Sequence, residues 1–300
     1  MRGFQERPGQ AKVLMRSSPG VDGQPLAGAI VAGVMGGYRS GTKAFLDSLG
    51  YHFDVAVTPE SLKIRRKALQ GDVDFVAHGQ SLHFVGQDLE GGTGPVWKHL
   101  PPAVRMDVRG PPGRKACLFL MVRDPLSMIR GWAKESYELR PDDHLPQHRP
   151  VNGSWLLNRV RLTEPCGMKP GSHGAFWNSP PVFENAVELM ALHAYGYLQG
   201  NFTVNGGLER VFLLRLEDWQ DAPAGVIAEL ERLGLPRNAR PFKDFPEAAS
   251  HDKSRTRAAA VAERPENESS EQGVFLSAAR VELRKTAPLW RALGYTHVTA

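Results

Sequence analysis

The sequence predicts an α/β fold in three layers, a central and mostly parallel sheet between two layers of helices, interrupted by a long lid insertion. Three observations predict it. Residues 28–35, 117–122 and 210–216 are short apolar runs of the kind found in strands buried on both faces. Stretches with helical periodicity follow them, so strands and helices alternate along the chain. The 300 residues, 41% apolar and 23% charged, suffice to bury one large core.

Taken in order, residues 1–25 are rich in Gly, Pro, Arg and Gln and have no apolar period. They predict a flexible tail ahead of a domain spanning 26–300. Residues 28–35 read as a buried strand closed by Gly36-Gly37, and 42–49 as a helix ended by Gly50. A strand at 53–57, a basic helix at 59–70 opened by Pro59, and a second short strand at 72–77 follow. The clearest strand, 117–122, runs into Arg123-Asp124-Pro125 and a helix to about 137, with Pro125 in the first turn where no backbone donor is missed. Later come a helix at 182–198, a strand at 210–216 and a helix at 221–233. In the last of these Val226, Ile227, Leu230 and Leu233 share one face, and Gly234 stands at the end. Residues 138–181, dense in Pro, Gly, His and Arg, are too long for a connection and predict a functional flap or a partly ordered insertion. The polar stretch 236–270 precedes a final helix at about 274–293.

Composition narrows the function. There are 37 Lys and Arg against 32 Asp and Glu, a net charge of +5 spread along the chain, which suits an anionic ligand without requiring nucleic acid. The apolar stretch at 26–35 falls far short of the roughly 20 residues of a membrane span. With no signal peptide legible either, a cytoplasmic protein is expected. Cys117 and Cys166 cannot build a disulfide framework, and Cys117 is expected as a buried reduced thiol. His144, His148, Cys166 and His173 make a poor zinc set because Pro146 breaks the helical face that would align the first two, so no metal site is expected.

The chemistry centres on Gly36-Gly-Tyr-Arg-Ser-Gly-Thr-Lys43, where a strand gives way to a helix. Successive backbone N–H groups and the helix N-terminus make such a loop an anion cradle. Gly36 and Gly41 have Walker A spacing, but the closing pair is inverted to Thr42-Lys43, which misplaces both the lysine and the hydroxyl for Mg-nucleotide.

Read as Arg39-Ser40-Gly41-Thr42, the loop resembles the 5′-phosphosulfate loop of sulfotransferases that use 3′-phosphoadenosine 5′-phosphosulfate (PAPS). Leu118-Phe-Leu-Met-Val-Arg-Asp-Pro125 resembles the same family's second signature, a buried strand ending in an Arg that grips the 3′-phosphate. Trp97-Lys98-His99-Leu100-Pro101 is similar to the family's segment carrying the general base, and Phe212-Leu-Leu-Arg-Leu-Glu-Asp-Trp219 to its Tyr-Glu-Asp-Leu motif, with Leu216 at the tyrosine position. The order of the four motifs over residues 28–236 carries the resemblance.

The resemblance implies a P-loop NTPase-like fold and in-line sulfuryl transfer from PAPS, with PAP as product and no metal, to a hydroxyl or amine of a small-molecule or glycan acceptor. It implies that Gly37, Tyr38, Arg39, Ser40, Gly41, Thr42 and Lys43 hold the 5′ end, Arg39 also stabilising the leaving charge. Arg123 takes the 3′-phosphate. Where the family has a serine eight residues after that arginine, this chain has Gly131, with Ser127 one turn back as a substitute. Lys253, Arg255 and Arg257 match the late basic loop over the nucleotide. His99 is the implied general base, with Glu60 or Asp74 as carboxylate alternatives. The rival functions are a P-loop kinase, with Asp124 as the magnesium partner, and a non-catalytic nucleotide-binding relative.

Overall fold

Buried parallel strands need apolar side chains on both faces, and the central strand of this protein has them. The computed structural model describes residues 26, 30–37, 40–57, 115–136, 139–142, 153–162, 182–199, 208–244 and 271–298, together with the backbone of 13–17, 83–87, 93–95, 105–109 and 202–203. The strands are β1 (Val13–Ser17), β2 (Ile30–Gly36), β3 (Val55–Val57), β4 (His83–Gln87), β5 (Thr93–Pro95), β6 (Arg105–Arg109), β7 (Lys115–Val122), β8 (Leu139–Pro141), β9 (Val160–Leu162), β10 (Val182–Phe183), β11 (Phe202–Thr203) and β12 (Leu208–Arg215). The helices are α1 (Thr42–His52), α2 (Pro125–Lys134), α3 (Ala186–Gln199), α4 (Leu216–Asp221), α5 (Pro223–Arg232), α6 (Glu271–Lys285) and α7 (Ala287–Ala292), with short 3₁₀ turns at Ser154–Leu157 and Thr296–Val298.

The main sheet has the order β1-β12-β7-β2-β3. Its four strands β12, β7, β2 and β3 are parallel, and β1 closes one edge antiparallel to β12. Alternation along β7 divides the core: Leu118, Leu120 and Val122 pack with Met128, Ile129 and Trp132 of α2 and with α3, α6 and α7. Cys117, Phe119 and Met121 pack on the other side with Phe45, Leu46 and Leu49 of α1 and with Trp219, Val226 and Ile227 of α4 and α5. Phe119 stacks on Phe212 of β12 at 4.7 Å, and Phe45 meets Phe119 and Trp219 edge-on. Helices therefore cover both faces of the sheet. Cys117 is wholly buried and reduced, and burial pushes its thiol up to about 12, so it packs as an inert apolar group.

Several elements differ from expectation. The supposed tail contains β1, whose Val13-Leu14-Met15 run is too short to signal a strand alone but pairs with Phe212–Leu214 at the sheet edge. Gly50 lies inside α1, which continues until Phe53 caps it. Residues 182–183 form a strand and α3 begins only at Ala186. Leu216 opens α4 instead of ending β12, and the helix expected at 221–233 is two, because Pro223 starts α5 afresh. The last helix breaks at Thr286, before Pro288. The flap at 138–181 contributes β8 and β9 to a small antiparallel sheet with β10. A further sheet has the order β11-β6-β4-β5. The helix expected at 59–70 and the strand at 72–77 lie outside the described residues. Among the described residues no helix is long and apolar enough to cross a membrane.

The far end of α1 is clamped to the segment after α5. His52 Nε2 accepts the N–H of Lys243 at 3.2 Å, so the ring proton sits on Nδ1, where it reaches the carbonyl of Ser48 at 3.0 Å. Phe242 stacks on the same imidazole, and Asn238 hydrogen-bonds the backbone of Tyr51 and His52. Burial, helped by the Arg237 charge, holds the His52 pKa below its usual 6.5. The stability this neutral imidazole contributes is therefore complete above pH 6.5 and is lost as the pH falls through its folded-state value. Denaturant melts should show that loss in the wild type and a flatter profile in His52→Gln; identical profiles would refute the clamp.

Candidate functional site

In an open parallel sheet, ligands bind beyond the carboxyl ends of the strands, where neighbouring connections leave in opposite directions. That point lies here between β2 and β7. From β2 the chain passes through α1 to β3 on one side, while β7 and β12 lie on the other. Gly36 is paired with Met121, and Arg215 with Val122, so three strands end in one row. The glycine loop leaves the first, Arg123-Asp124 the second and Leu216-Glu217 the third.

The loop is built by close approach. A Cβ on Gly36 would collide with Ser40 Oγ and come within 2.8 Å of the Met121 carbonyl, and one on Gly37 would lie 2.6 Å from the Met128 methyl of α2. Ser40 N–H and Oγ both donate to the Gly37 carbonyl, at 3.2 and 2.6 Å, tying the two described ends of the loop together. Ser40 and Thr42 are buried, so their side chains belong to the loop's frame. Gly41 caps α1 with φ +76° and offers no side-chain acceptor to the first turn, the arrangement that favours an anion at a helix start. Leu216, at the position where the family has a tyrosine, is buried beneath this cap, its Cδ1 2.6 Å from where a Gly41 Cβ would stand. Gly41→Ala should cost about 1–2 kcal/mol in backbone strain alone, read as a lowered melting temperature; a melt matching wild type would contradict this account of the cap.

Lys43 is drawn along α1: its side chain is 77% exposed and Nζ lies 2.8 Å from Asp47. Tyr38, Arg39, His99, Arg255 and Arg257, and with them Glu60, Asp74 and Lys253, lie outside the described residues. The sheet edge thus brings together Gly37, Ser40, Gly41, Thr42 and Arg123. Ser127 lies in the first turn of α2, its N–H donating to Asp124 Oδ1 at 2.7 Å, which makes Asp124 the helix cap. Gly131 is buried farther along α2 and has no side chain to offer.

Compared with protein-family models, with curated proteins and with solved structures, the chain matches none.

The site also holds Tyr295 and His297, which no sequence pattern announced, and it gives Glu217, the glutamate of the Phe212–Trp219 motif, a role that spacing does not express. Glu217 accepts the N–H of Asp124 at 2.8 Å through one oxygen and the hydroxyl of Tyr295 at 2.8 Å through the other. Burial raises its pKa, opposed by these hydrogen bonds. Arg215 lies over the Tyr295 ring at 4.7 Å and donates to the Gly294 carbonyl. His297 Nε2 reaches Asp124 Oδ2 at 2.8 Å. The C-terminal segment is thereby tied to the end of β7, beside Arg123. In the flap, an open cleft of about 490 Å³ is lined by Asp142, Leu157, Asn158, Arg159 and Glu184, with Asp142 bridged to Arg161 and Arg159.

Proposed function

We propose that the protein is a PAPS-dependent sulfotransferase with a P-loop-like site. One observation carries the reading: the glycine loop after β2 and the arginine after β7, far apart in sequence, emerge side by side at the switch point of the sheet. The glycine loop and the open helix start of α1 suit the phosphosulfate end, and a guanidinium at the end of β7 suits a phosphate monoester. Both oxygens of Asp124 are already engaged, by Ser127 and His297, which disfavours its use as a magnesium partner in a kinase.

In this reading the chain's work is positioning and electrostatics. Bound PAPS supplies the sulfuryl group that an acceptor oxygen or nitrogen takes in line. The N–H groups at the start of α1 and the guanidinium of Arg39 stabilise the charge that grows on the departing phosphate. Arg123 fixes the other end of the nucleotide. His99, or a carboxylate at Glu60 or Asp74, takes the acceptor's proton. The flap at 138–181 receives a small-molecule or glycan acceptor.

The test is calorimetric titration with PAP in metal-free buffer. Micromolar binding by the wild type, lost in Arg123→Ala, is expected. Absence of binding, or binding of Mg-ATP alone, would overturn the reading and favour a kinase.

A further inference from the structure

Resting on that nucleotide reading, we propose that His297 is the second side chain on the 3′-phosphate, held in place by Asp124. Gly131, at the position expected to supply such a ligand, has no side chain. His297 is 62% exposed, at the same sheet edge as Arg123 and in hydrogen-bond contact with the residue that follows it. Its Nε2–H donates to Asp124, and among the described residues Nδ1 has no hydrogen-bond partner.

The imidazole is aimed by a chain of fixed groups. Asp124 cannot swing, because Oδ1 accepts from Ser127 N–H and its own N–H donates to Glu217. The segment bearing His297 is seated by the Tyr295 hydroxyl on Glu217 and by Arg215 against Tyr295 and Gly294. A Cβ on Gly294, at φ +85°, would lie 2.7 Å from Arg215 Nη1, so this glycine lets the segment lie close against the guanidinium. With Nε2 engaged by Asp124, Nδ1 is the ring atom left to meet a phosphate oxygen, where an N–H at that position donates while Arg123 offers its fork.

The experiment compares PAP with adenosine 5′-phosphate, which lacks the 3′-phosphate, by calorimetry on wild type, His297→Ala and His297→Lys, each checked for an unchanged melting temperature. His297→Ala should weaken PAP by about ten- to a hundredfold, as expected for one charge-assisted hydrogen bond, while the affinity for adenosine 5′-phosphate stays within about twofold. His297→Lys should recover part of the loss. Unchanged PAP affinity, or an equal loss for both nucleotides, would overturn the role of His297 and leave the nucleotide reading standing. A wild type that binds neither nucleotide would overturn both.

Discussion

Arg39→Ala is expected to lower turnover with PAPS by about a hundred- to a thousandfold, the usual cost of removing one preorganised donor from a developing charge. The effect should be this large because the loop's other cation in sequence, Lys43, is engaged with Asp47 on the exposed side of α1. It should fall on kcat more than on PAP affinity, since the charge on the bridging oxygen grows only as the sulfuryl group departs. Arg39→Lys, which restores a cation without the planar fork, should recover much of the rate. The measurement is kcat and KM on an acceptor found by screening with the wild type. Turnover near wild type in Arg39→Ala would remove Arg39 from the leaving-group role.

What the sequence made legible was whatever is encoded locally. β2 and β7 stand out because a strand covered on both faces must be apolar at successive positions, and Leu118 to Val122 feed two cores at once. The helix after Pro125 was legible because proline and an aspartate cap mark its start. β1 was not, since an edge strand with a single partner needs little apolar signal, and its register is set by β12 nearly two hundred residues away. The site divides the same way. Its glycine loop and Arg123 are local patterns, whereas Tyr295 meets Glu217 and His297 meets Asp124 only through contacts spanning 78 and 173 residues. Leu216 shows the limit of motif reading. Spacing places it only at the motif's tyrosine position, whereas its burial beneath Gly41 gives it a packing role that spacing does not express.

Glu217→Ala should be the most destabilising change at this edge. It leaves the Asp124 N–H and the Tyr295 hydroxyl without their acceptors, and each buried polar group so orphaned costs about 1–3 kcal/mol. Against a total stability of about 5–15 kcal/mol the loss is large, and it should loosen the Arg123 turn and the C-terminal segment together. Glu217→Gln should be mild, because its carbonyl can accept from Asp124 N–H while its amide donates to the Tyr295 oxygen. The two variants also separate charge from hydrogen bonding. Burial raises the Glu217 pKa above its usual 4.5, so its contribution to stability is complete below that pH and declines as the pH rises through the folded-state value. Glu217→Gln removes this decline, while the opposite dependence from His52 persists in both proteins. Denaturant melts at several pH values between about 4 and 7 should therefore give a wild type that loses stability relative to Glu217→Gln as the pH rises. A constant difference across that range, or a Glu217→Ala variant as stable as Glu217→Gln, would show that the carboxyl group does not bridge Asp124 and Tyr295 in solution.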